Sequence, residues 1–189
     1  MIKPIRSVAP RDGGPTFSRG HRLRRLFWAF VWAAFGRWTP VPFHGWRRFL
    51  LVLFGARIDR TAKVYPSAEV WYPPNLQMAR YACLGPNARC YCMDRIDIGE
   101  YAVISQGAYL CGGTHDIDNA DFPLITKPII IGANAWIAAE AFVGPGVTVG
   151  DHAVLGARAV AFKDLEPAMV YTGNPAKPLR SRKISGDMA

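Results

Sequence analysis

The stretch Ile131–Ala161, IGANAWIAAEAFVGPGVTVGDHAVLGARAVA, repeats with a period of six. Ile131, Ile137, Val143, Val149, Leu155 and Ala161 lead successive hexads. The position four after each lead is small or aliphatic: Ala135, Ala141, Val147, Ala153, Ala159 and then Leu165. Glycine follows several leads, at Gly132, Gly144, Gly150 and Gly156. Neither a helical nor an alternating-strand period explains a repeat of six. Internal repeats of this kind mark stacked architectures.

The same rule runs backwards to residue 58. Ile58, Val64 and Val70 form one trio; Met78, Leu84 and Cys90 a second; Ile98, Ile104 and Leu110 a third. The four-after positions in the first two hexads of each trio are Ala62, Ala68, Ala82, Ala88, Ala102 and Ala108. The third hexads break that rule with Pro74, Asp94 and Thr114. Three hexads make one turn of a triangular coil, so the trios predict about five coils of a parallel β-helix. The leads fill the interior, and the small residue fits a tight bend. Two extra residues separate the first three trios and fifteen separate the third from the fourth. Every excursion follows a third hexad, so all leave the prism at one corner.

The long excursion, within Cys111–Ile130, is where chemistry is expected, because long insertions in compact repeats are commonly functional. It carries His115 just beyond Leu110, beside Asp116, Asp118 and Asp121. A histidine at the root of a protruding loop, against a rigid wall, suits general-base work. His21, His44 and His152 have no such setting and read as solvated histidines without a chemical role; His152 falls on a coil face.

Outside the repeat the chain changes character. Residues 1–60 hold 12 Lys/Arg and 2 Asp/Glu, a net of +10, whereas residues 61–189 hold 11 and 12, a net of −1. The body is nearly neutral, so a nucleic-acid interface is not expected. Arg22, Arg24 and Arg25 precede the apolar run Leu26–Gly36, and Arg37 follows it. A second apolar stretch, Phe49–Ala56, follows Arg47 and Arg48. Two helices are expected, each apolar enough to need burial. Phe27, Trp28, Phe30, Trp32, Phe35 and Trp38 with basic flanks suit a peripheral membrane contact through residues 22–56. Packing on the body or on a neighbouring subunit is the other reading. Neither run reaches the length of a spanning helix, and no small-residue cleavage site marks a signal peptide. Residues 1–20 are expected to be poorly ordered.

The organisation expected is a basic, aromatic helical extension over 1–57, the β-helix over 58–166 with its loop at 111–130, and a cap and basic tail over 167–189. Half the residues are hydrophobic and 20% charged, which excludes a disordered chain. Cys83, Cys90, Cys92 and Cys111 form no C-x-x-C pair. Free thiols in a reducing cytoplasm are therefore expected, with no metal site.

The hexads, the loop with its histidine, VTVGDHAVLGARAVAFKDLEP at Val147–Pro167 and GNPAK at Gly173–Lys177 together resemble the hexapeptide-repeat acyltransferases. WRRFLLVLFGARI at Trp46–Ile58, SQGAYLCGGTHD at Ser105–Asp116 and FPLITKPIIIGANAWIAAEAFVGPGV at Phe122–Val147 extend the likeness. They bring it to the colanic acid biosynthesis acetyltransferase branch. The resemblance implies a left-handed helix, a homotrimer with sites between subunits, and acetyl-CoA as donor. His115 matches the catalytic base, which would take the proton of a sugar hydroxyl as it attacks the thioester. A backbone N–H would hold the oxyanion. Trp136 matches a wall position near the thioester, and Ala139 and Ala157 match the pantetheine arm. Lys163 and Lys177 match phosphate contacts, and Asn174 and Pro175 match the adenine end. Two departures stand out. Many relatives carry Asn before a Cys in the coil ahead of the loop, where this chain has Arg89 before Cys90, with Asn87 out of register. Phe162 precedes Lys163, where relatives carry a hydroxyl.

The function this implies is O-acetylation of a sugar, free or lipid-linked, in exopolysaccharide or envelope synthesis, at a cytoplasmic or inner-membrane-face location. A serine O-acetyltransferase or an amino-sugar N-acetyltransferase would share the base and donor. A zinc carbonic anhydrase on this fold needs three histidines, and the body offers only His115 and His152. An ice-binding face would need rows of Thr, which is sparse here. A non-catalytic β-helix scaffold would have no use for His115.

Overall fold

The structure, a computed structural model, describes residues 16–183. Most of the segment expected to be poorly ordered, and the end of the tail, lie outside these residues. Coil one is β1 (Arg57–Ile58), β2 (Lys63–Val64) and β3 (Glu69–Val70). Coil two is β4 (Leu76–Met78), β5 (Cys83–Leu84) and β6 (Arg89–Tyr91); coil three is β7 (Ile96–Ile98), β8 (Val103–Ile104) and β9 (Tyr109–Cys111). The long excursion folds as a hairpin of β10 (Gly113–His115) and β11 (Leu124–Thr126). Coil four is β12 (Ile129–Ile131), β13 (Trp136–Ile137) and β14 (Phe142–Val143); coil five is β15 (Thr148–Val149), β16 (Val154–Leu155) and β17 (Val160–Ala161).

The strands stack in parallel into three faces: β1-β4-β7-β12-β15, then β2-β5-β8-β13-β16, then β3-β6-β9-β14-β17. The fold is a left-handed parallel β-helix. The leads and their four-after alanines fill the interior; Val64, Leu84, Ile104, Leu110, Ile137 and Leu155 are fully buried, as are Ala62, Ala82, Ala102 and Ala108. From coil two onward, the third residue after most leads takes the left-handed conformation that closes the bend. Tyr81, Asn87, Tyr101, Gly107, Asn134, Glu140, Gly146, His152 and Arg158 all have φ between 54° and 82°. His152 is thus a corner residue, not a face residue. Glycine after a lead answers a close approach: a Cβ on Gly132 would lie 2.6 Å from the backbone nitrogen of Asp151 on the next coil.

The repeat runs further than five coils. Leu165 bridges to Val149 on the first face, and β18 (Met169–Thr172) pairs in parallel with β16 on the second. Leu165 is therefore a lead, not a four-after residue, and Tyr171 is the next lead six positions on. The frame slips between Ala161 and Leu165, which hid the partial sixth coil. β19 (Lys177–Ser181) then turns back antiparallel on β18.

Two helices cover the other end: α1 (Arg19–Val31), continued by a π-turn at Trp32–Gly36, and α2 (His44–Leu53). Ser18 caps α1 by accepting from the His21 N–H at 3.2 Å. In coil two the carbonyls of Ala82, Leu84, Ala88 and Cys90 accept from Lys63, Tyr65, Glu69 and Trp71 of coil one. The matching carbonyls of coil one have no coil beneath them. Each meets a helix side chain instead. Arg48 donates to Ala62 at 2.7 Å, Arg47 Nε and His44 Nδ1 to Val64 at 2.7 and 2.8 Å, Trp32 to Ala68 at 3.0 Å and Trp28 to Val70 at 2.7 Å. Arg47 also donates to Thr39, Pro40 and Val41 and is completely buried. Arg47 and Arg48, expected as a basic flank, point inward because those carbonyls need donors.

The helices are not buried all round. Trp28, Trp32, Leu50 and Leu51 pack on the body, while Leu26, Phe27, Phe30, Phe35, Trp38 and Phe49 are exposed, Trp38 by 82%.

Candidate active site

His115 ends β10, on the hairpin that leaves the corner between the third and first faces. Its Nδ1 lies 2.9 Å from the carbonyl oxygen of Phe122, across the hairpin. A carbonyl only accepts, so Nδ1 carries the proton and Nε2 keeps a free lone pair. The imidazole stacks on the Phe122 ring, centroids 4.4 Å apart and planes 9° from parallel. The neighbouring aspartates shape the loop instead: Asp116 Oδ1 accepts from the Asp118 N–H, and the Asp116 N–H donates to Pro123. The ring is thus fixed in tautomer and plane by Phe122 alone, and a proton acceptor faces away from the hairpin.

A groove of about 680 Å³ runs along the second face. Trp136, Ala139 and Ala157 line it, as sequence reasoning brought together. Ser105, Gln106 and the cations Arg180, Arg182 and Lys183 of the returning strand line it as well. Trp136 Nε1 donates to Ser105 Oγ at 2.8 Å, which holds the indole along the wall while 45% of the residue stays exposed. Arg182 donates to the carbonyls of Asn134 and His152 and pins the strand across two coils. The groove is uncharged along its wall and cationic at one end, the polarity that an acyl thioester on a long arm with terminal phosphates requires.

The other expected residues fall elsewhere. Asn174 and Pro175, joined by a cis peptide, form the turn between β18 and β19, and Lys177 opens β19; all three are exposed. Lys163 is exposed at the corner from which the hairpin leaves, away from the groove. His115 is also at that corner, opposite the second face, so one chain does not bring its imidazole to the groove.

A second cavity, of about 480 Å³, opens between α1 and the third face. Arg89 lines it with Glu69, Trp71, Tyr91 and Tyr109. Arg89 and Glu69 pair loosely at 3.6 Å, both well exposed. β9 of this face runs directly into the hairpin that holds His115. Sequence reasoning missed this cavity, Phe122, Ser105 and Arg180. Only Arg89 had announced itself, as a residue out of pattern. Among the described residues no group of three or more His, Cys, Asp or Glu could hold a metal.

The profile of the bacterial transferase hexapeptide family (six repeats) matches residues 128–161. The chain is 41% identical over 166 residues to WcaF of Escherichia coli (strain K12), a colanic acid biosynthesis acetyltransferase by name; the match covers 88% of this chain and 91% of that protein. The structure superimposes on galactoside acetyltransferase in complex with coenzyme A with a TM-score of 0.80 at 25% identity, covering 92% of this chain and 88% of that one. It shares its fold with the hexapeptide-repeat acetyltransferase VCA0836 of Vibrio cholerae O1 biovar eltor complexed with acetyl coenzyme A. That match has a TM-score of 0.77 at 22% identity and covers 91% and 96% of the two chains.

Proposed function

The chain belongs to the hexapeptide-repeat acyltransferases, in the branch of the colanic acid biosynthesis acetyltransferases, and from that premise we propose that it transfers an acetyl group from acetyl-CoA to a sugar hydroxyl during assembly of an exopolysaccharide or envelope polysaccharide. The observation that carries the reading is the imidazole of His115, with Nδ1–H donated to Phe122 and Nε2 left as acceptor. Nε2 takes the hydroxyl proton as the oxygen forms its bond to the thioester carbon. The C–S bond then breaks, and the proton passes to the leaving thiolate. Trp136, Ala139 and Ala157 line the donor arm, and Arg180 and Lys183 join Lys177 at its phosphates.

Because base and groove sit on opposite sides of one prism, the reading requires a homotrimer in which the hairpin of one subunit closes on the second face of the next. The acceptor is a lipid-linked sugar met at the inner face of a membrane. Supporting this, residues 16–58 contain eight arginines and no acidic residue, and this segment exposes several Leu, Phe and Trp side chains. No described helix is long and apolar enough to cross a membrane, so the contact is peripheral.

The test combines binding with turnover. Acetyl-CoA at a hundred times its dissociation constant should stabilise the protein by about 2.7 kcal/mol, read as a rise in unfolding midpoint. His115→Ala should keep that rise while transfer to the sugar falls by roughly 10²–10⁴-fold. Retained turnover in the variant removes the base assignment.

A further inference from the structure

We propose that the cavity between α1 and the third face is an anion-binding half of the acceptor site, built for the phosphate or diphosphate ester of a glycosyl phosphate. The inference rests on the acetyltransferase reading and narrows its acceptor. Arg25, Arg37 and Arg89 line the cavity against one carboxylate, Glu69. Arg89 and Glu69 are held only at 3.6 Å, so that pair neutralises at most one of the three cations. Arg25 sits over the Trp71 ring, 3.8 Å from guanidinium carbon to centroid. Its Nε is buried and has no hydrogen-bond partner among the described residues. Burial, first of all, also holds the Arg25 guanidinium below its ordinary range, partly offset by Tyr91 and Cys92.

The shape fits the same ligand. Ala29 on α1 and Ala33 on the π-turn that continues it line the cavity with single methyl groups, alongside Trp28 and Trp32. Trp71, Tyr91 and Tyr109 run as a ladder up the face, with ring centroids 5.4 and 6.3 Å apart, towards the coil from which the His115 hairpin springs. Aromatic faces accept the apolar side of a pyranose, and guanidiniums bind phosphate oxygens in pairs. Leu26 and Phe30 are exposed on the same helix, where the lipid of such an ester would lie.

The experiment is calorimetric titration of the full chain with coenzyme A saturating, using glucose 1-phosphate as probe, with methyl glucoside and glucuronate alongside. Glucose 1-phosphate should bind, and methyl glucoside and glucuronate should bind at least about tenfold more weakly. Arg89→Gln and Arg25→Gln should each weaken glucose 1-phosphate by about tenfold while leaving coenzyme A affinity unchanged. Arg180→Ala, in the donor groove, should leave glucose 1-phosphate unaffected. Equal binding of the phosphate and neutral sugars, equal binding to wild type and Arg89→Gln, or loss in Arg180→Ala overturns the assignment. Binding of glucuronate as tight as the phosphate overturns the phosphate class. Coenzyme A binding is read separately, so its failure would strike the donor reading and leave the anion result to be scored by itself.

Discussion

Two histidines that take no part in the chemistry set how the fold responds to acid. His21 and His44 are both held below the usual histidine range, by burial first and also by nearby arginines. His44 further donates Nδ1–H to the Val64 carbonyl. Between that depressed range and about pH 6.5, the unfolded chain binds more protons than the folded one. Stability is therefore level above this window and declines as pH falls through it. The unfolding midpoint should drop between pH 7.5 and 5.5, before the carboxylates titrate, and the double variant His21→Gln/His44→Gln should flatten the profile. A midpoint that does not move over this interval would contradict the assignment. At this scale the sequence was informative about His115, because the loop length and the broken frame isolate it. It was silent about Phe122, since the hairpin register that pairs His115 with Leu124 leaves no turn residue to mark it.

The coils were legible because each hexad is a local rule: an inward aliphatic, a left-handed corner and a small residue repeat within six positions. The helices were legible as helices but not in their job. Their donors reach carbonyls 14 to 42 residues away, a pairing that no short-range pattern encodes. Arg47 shows the difference, since a basic residue beside an apolar run looks like a surface anchor and proves to be wholly buried. Arg47→Ala would strand the carbonyls of Pro40 and Val41, and would leave Val64 with His44 alone. It should destabilise the protein by about 3 kcal/mol, measured by denaturant unfolding. Loss below about 0.5 kcal/mol, the level of an ordinary surface substitution, would mean that water replaces the guanidinium. The partial sixth coil was hidden for the opposite reason, a slip in an otherwise strict local frame.

For the whole molecule, the proposed mechanism makes assembly part of catalysis, because His115 lies apart from the second-face groove. Subunits carrying His115→Ala and subunits whose groove is blocked by Ala157→Trp should each be inactive alone. Refolded together in equal amounts, they should regain about a quarter of wild-type activity, because one interface type in four joins an intact hairpin to an intact groove. No recovery would mean that base and groove act within one chain. The exposed Leu, Phe and Trp side chains lead to a second expectation: the protein should co-sediment with anionic phosphatidylglycerol vesicles and less with neutral ones, and Phe30→Ser/Trp38→Ser should abolish the difference. Failure of wild type to co-sediment would assign that surface to a neighbouring subunit. The four carbonyls met by Arg48, Arg47, Trp32 and Trp28 carry a last consequence. A stack of parallel strands has a growing end, onto which another chain could add its own coils without limit. Side-chain donors from the chain's own helices terminate that growth. A chain lacking α1 and α2 would then be less a truncated enzyme than a seed for fibres.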